Sequence, residues 1–220
     1  MKASISNISH YTWIGIIISI FSITAINLCY KIPFGDQLTN SIMVSRELII
    51  LSVVAFLCFY IIPKESKTLE SIGLHNHNWK QTLWLSLLIA FVCLLGILVC
   101  IELCKVLGWK FGESKSFDKL SLPVISLITI RAGIAEEIFC RGFLLERYSS
   151  FFNNRWFVIL LSSIPFGLFH YNQGYAGILI ATVAGIILSL CYFWKKDLKA
   201  NIIGHFLVDF IPNVIFPLLA

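Results

Sequence analysis

Three groups of residues in the second half of the chain have the types and spacing that hydrolytic chemistry needs. The first is Glu136, Glu137 and Arg141, within IAEEIFCRGFLLERY at 134–148. The preceding run from Leu122, LPVISLITI, carries no charge, so a helix from Leu122 to Tyr148 brings these groups partway across a membrane. Ionisable side chains at that depth cost at least ~2.5–3.5 kcal/mol each and mark function more often than packing. Glu137 and Arg141 are four residues apart and share a helix face, whereas Glu136 projects about 100° away. A structural ion pair of Glu137 with Arg141 therefore leaves Glu136 as a spare carboxylate. The second group is His170, which ends the apolar run RWFVILLSSIPFGLFH, and the third is His205 with Asp209, an i, i+4 pair. At 1.5 Å per residue, Glu136 lies ~18 Å, His170 ~22 Å and His205 ~9–15 Å from one end of their helices. Tilt absorbs the differences, so all can meet at one level. Each group alone has a structural explanation: ion pair, helix-end histidine, helix-bridging pair. Together they predict one site, in which Glu136 takes a proton from water, one histidine orients that water and the other groups steady an oxyanion.

The elements that must position these groups are membrane helices. Of 220 residues, 58% are hydrophobic and 13% charged, and mean hydropathy is +0.84. Soluble domains carry nearer ~25% charged residues, and a soluble core of this size could not bury so much apolar surface. The expected fold is all-α, a polytopic bundle of about seven transmembrane helices, six to eight. The spans read as Tyr11–Tyr30, Leu48–Ile62, Thr82–Leu107, Leu122–Tyr148, Arg155–His170, Gly174–Trp194 and Leu198–Leu218, with 31–47, 63–81 and 105–121 as loops. The first is expected to be retained, because it is longer than a signal-peptide core. One integrated domain is expected, residues 1–121 being N-terminal helices and loops and 122–220 the catalytic core. His75 and His77 read as solvated loop residues. The seven cysteines, odd in number and without a CxxC pair, predict neither a disulfide framework nor a thiolate metal site.

Net charge is +5, a surplus that loop lysines explain without nucleic acid. Lys2, Lys64, Lys67, Lys80, Arg147, Arg155, Lys195, Lys196 and Lys199 fall on the N-terminal side. Lys31, Arg46, Lys105, Lys110, Lys115 and Lys119 fall on the other, which predicts a cytoplasmic N-terminus. Polar groups along a span could also serve proton-coupled transport, but there are no repeat halves or paired broken helices.

The motifs carry a resemblance. Glu136-Glu137-Ile138-Phe139-Cys140-Arg141, followed by Gly142, resembles EExxxR; Phe166 to His170 resembles FxxxH; His205 to Asp209 resembles HxxxN/D. In this order they resemble the CPBP family of CAAX proteases and bacteriocin-processing enzymes, whose eukaryotic relative is the type II CAAX prenyl endopeptidase. The resemblance covers about Leu122 to Leu218. It implies an intramembrane endopeptidase of the glutamic type in a prokaryotic plasma membrane, acting on a peptide or membrane-anchored protein. It also implies catalytic roles for Glu136 and His170 on the water and for His205 and Asp209 on the oxyanion side. Asp209 stands where many relatives carry Asn. An ionised carboxylate cannot donate to an oxyanion, so Asp209 is either protonated or holds His205. No cofactor is expected. The alternative is Zn²⁺ held by His170, His205 and Glu136. A catalytically silent scaffold or immunity-type factor is the other reading open to such a chain.

Overall fold

The computed structural model describes residues 8–35, 39–110 and 119–219. Lys2 and Lys115 of the charge tally lie outside them. Among the described residues every regular element is helical, apart from turns and short 3₁₀ segments. The helices are α1 His10–Phe34, α2 Asn40–Lys64, α3 Trp79–Val106, α4 at 122–151, α5 Arg155–Leu168, α6 Tyr171–Lys195 and α7 Leu198–Leu219. Five of them (α1, α2, α3, α6 and α7) are long and apolar enough to cross a bilayer. The chain is an integral membrane protein built as a helical bundle.

Two boundaries differ from expectation. The loop expected at 31–47 is short: α1 continues through Lys31 to Phe34, and α2 starts at Asn40 behind a Thr39 cap whose Oγ1 accepts from the Ile42 amide at 3.4 Å. Charge made Arg46 and Glu47 look like loop residues, yet both are helical. Glu47 is fully buried and ion-paired, which offsets its desolvation. Arg46 accordingly leaves the loop tally. In the loop before α3, His75 and His77 are half-buried rather than solvated, with ring centroids 5.7 Å apart.

The motif helix α4 is not uniform. It starts after Ser121 with Pro123 in its first turn, where the missing amide costs no hydrogen bond. Over Ile138–Leu145 it widens to i→i+5 hydrogen bonding, a rare geometry frequent at functional sites. The widened turns are buried. Phe139, Phe143 and Leu145 pack with Ile16 of α1, Leu57 and Ile61 of α2, and Tyr192 of α6. Lipid is as apolar as these side chains, so close fit rather than water exclusion holds such contacts. Gly133 illustrates the fit: a Cβ there would come within 2.8 Å of the Ile202 carbonyl oxygen on α7. This small residue lets α7 lie against α4 and brings His205 to Glu137.

Polar ties gather at the end of the bundle where α2 and α4 finish. Arg147 on α4 pairs with Glu65 at 2.7 Å, and Thr12 of α1 donates to the same carboxylate at 2.6 Å. Nearby, Tyr192 donates to Glu146 at 2.8 Å, and Thr82 of α3 donates to Asp197 at 2.6 Å.

Candidate active site

The adjacent glutamates occupy different surroundings. Glu137 is fully buried and bonded on both oxygens. Oε1 accepts from Arg141 Nη1 at 2.7 Å and lies 2.9 Å from His205 Nδ1, while Oε2 accepts from Asn201 Nδ2 at 3.1 Å. It thus joins α4 to α7. Arg141 is itself clamped, donating to the Gly185 carbonyl at 3.2 Å and lying 4.6 Å from the centre of the Phe166 ring. Phe166 in turn stands 5.1 Å from the His170 ring and 6.2 Å from that of His205. It is the spacer that sets the histidines apart.

Glu136 is only partly buried. Among the described residues its one hydrogen bond is from Arg131 Nη1 to Oε1, at 3.0 Å, which leaves Oε2 unengaged. It lines a cavity of about 140 Å³ with Arg131, Phe166, His170 and, from α1, Ser19 and Asn27. Such a space holds a few waters, each taking about 30 Å³. A larger cavity of about 810 Å³ is lined by Thr129, Phe166, His170, His205, Asp209 and Asn213, among apolar side chains of α3, α4, α6 and α7. Phe166 and His170 border both. The four residues expected to be catalytic therefore line two adjoining cavities that meet at His170, rather than a single one.

The histidines have assigned faces. His170 Nδ1 is 2.9 Å from the Phe166 carbonyl oxygen, which can only accept, so Nδ1 carries a proton and the neutral ring keeps a bare Nε2. His205 Nδ1 faces Glu137, and its Nε2 lies 3.6 Å from Asp209 Oδ2. Among the described residues, no three His, Cys, Asp or Glu side chains are gathered so as to hold a metal ion. All seven cysteines are free thiols.

Sequence reasoning missed three polar residues. Glu47 sat in an expected loop. Asn201 looked like an ordinary helix residue, yet it is fully buried and also donates to the Leu188 carbonyl at 2.9 Å. Asn213, one turn beyond Asp209, donates to the Asp209 carbonyl at 2.7 Å and lines the large cavity. The i+4 spacing from Asp209 was the available signal for Asn213. Nothing local marks the other two.

The helical membrane bundle gathers carboxylates and histidines on α4 and α7 and in the turn that follows α5. Residues 118–211 match the family model described as type II CAAX prenyl endopeptidase Rce1-like. That segment, a little under half of the chain, is similar to the CAAX-protease-like family, and the match supports a protease at the level of reaction class. No curated protein and no solved structure is matched.

Proposed function

We propose that the chain is an intramembrane endopeptidase of the glutamic type, hydrolysing a peptide bond in a membrane-associated peptide or protein. The observation that carries this reading is the shared border of the two cavities at His170, with Glu136 on one side and His205 and Asp209 on the other. A water in the small cavity loses a proton to Glu136 as its oxygen attacks the carbonyl carbon. The bare Nε2 of His170 accepts that water's other hydrogen and fixes its direction. His205, doubly protonated, gives Nδ1–H to Glu137 and turns Nε2–H towards the forming oxyanion. Glu136 then passes its proton to the departing amine as the C–N bond breaks. Asp209 Oδ2 stands 3.6 Å from the same Nε2, beyond hydrogen-bond reach, which leaves that N–H for the oxyanion. No step requires a metal or cofactor.

The apolar lining of the larger cavity suits an extended or partly unwound apolar segment of a peptide or membrane-anchored protein. Leu122, Gln173 and Pro217 line it at the helix ends remote from the N-terminal face. With a cytoplasmic N-terminus in a prokaryotic plasma membrane, the cavity opens away from the cytoplasm, and exported or surface peptides become the natural substrates. The test compares membrane and medium proteomes of cells carrying wild type or Glu136→Gln. The expected outcome is an uncleaved precursor that accumulates, and a fragment that disappears, only in the variant. Identical proteomes at equal membrane abundance would favour a silent scaffold.

A further inference from the structure

Glu47 lies on α2, outside the segment that matches the family model, and its side chain is fully buried. Arg46 binds its Oε1 twice, through Nε at 2.9 Å and Nη2 at 2.6 Å. Its Oε2 takes the Nε–H of Arg131, and the same guanidinium gives Nη1–H to Glu136 at 3.0 Å. A guanidinium is a rigid planar fork, so fixing Nε fixes where Nη1 points. Tying α2 to α4 does not by itself need this arrangement, because apolar residues of similar volume would join two helices as well or better. What an apolar pair would not supply is the fork's second prong on Glu136.

We propose that Glu47 is a positioning residue for Glu136. By setting the plane of Arg131, it holds one Glu136 oxygen and leaves the other for water in the small cavity. Its consequence for turnover rests on the function proposed above. Its consequence for the Glu136 carboxylate does not.

The test uses the full chain in liposomes and two readouts. The first is the infrared carboxylate stretch of Glu136, identified as the band that Glu136→Gln removes. The second is cleavage of a fluorescence-quenched peptide copied from the junction found in the proteome comparison. The main variant is Glu47→Asp, which keeps the charge and shortens the arm by one methylene. Glu47→Gln with Arg46→Gln is a second, charge-balanced variant. Both are expected to shift the Glu136 band. Both are also expected to lower kcat by up to about 100-fold with KM unchanged, as an ångström-scale displacement of a reacting group does. Wild-type band position and kcat in Glu47→Asp would overturn the proposal, since a purely charge-balancing role tolerates that variant. A shifted band with Glu136→Gln still fully active would keep the positioning and overturn the catalytic reading instead.

Discussion

Glu136 and Glu137 are neighbours in sequence and opposites in setting. Around Glu137 the structure is closed: two α7 side chains and one α4 arginine saturate a carboxylate with no exposure. Around Glu136 it is open: among the described residues it has one partner, a free oxygen and a small cavity shared with His170. The turn of about 100° between successive helix residues is enough to separate a group that holds helices together from one that can exchange protons. The pair shows how a membrane helix can place scaffold and reactant one residue apart without mixing their roles.

The strongest test of that contrast is Glu136→Gln. Loss of the general base is expected to lower turnover by about 10²–10⁴-fold at wild-type membrane abundance, read by peptide cleavage and immunoblot. Glu137→Gln should behave in the reverse order. Breaking a buried pair costs about 3–5 kcal/mol, so abundance and Tm fall and activity follows them. A stable but inactive Glu137→Gln would erase the distinction. Asn201→Ala removes one donor from Glu137 and is expected to cost about 1–3 kcal/mol in denaturation experiments, with kcat per folded molecule retained. The smallest effect is expected from strong chelators, which should leave peptide cleavage unchanged. Activity lost to chelation and restored by stoichiometric Zn²⁺ would convert Glu136 from base to ligand.

The helical bundle was legible because apolar runs of span length are a composition signal, and the uncharged run from Leu122 marked the start of α4. A spacing of four placed Arg141 beside Glu137, and the structure has that contact at 2.7 Å. Spacing gives the face of a helix but not the neighbour opposite it. His205 was therefore paired on paper only with Asp209, while its closer partner is Glu137 across a helix interface, at 2.9 Å against 3.6 Å. Glu47 was hidden for a related reason. A charge beside an arginine reads as loop unless the distant Arg131 that neutralises it is known. The widening of α4 at Ile138–Leu145 left no signal either, because the two turns before it hold neither a proline nor a glycine pair.

The ties at Glu65, Glu146 and Asp197 all lie at one end of the bundle, whereas the large cavity reaches the helix ends at Leu122, Gln173 and Pro217. α2 and α4 are also joined at the far end, where the Ser121 amide donates to Asn40 Oδ1 at 3.0 Å. What can pivot about the bound base is therefore α7, whose far tip then moves most and whose root beside Asp197 moves least. Glu136, His170 and His205 lie between, so a small splay that widens the mouth changes their spacing by only a fraction of that movement. A bulky chain can be admitted at the rim while the reacting groups, nearer the pivot, stay close to register.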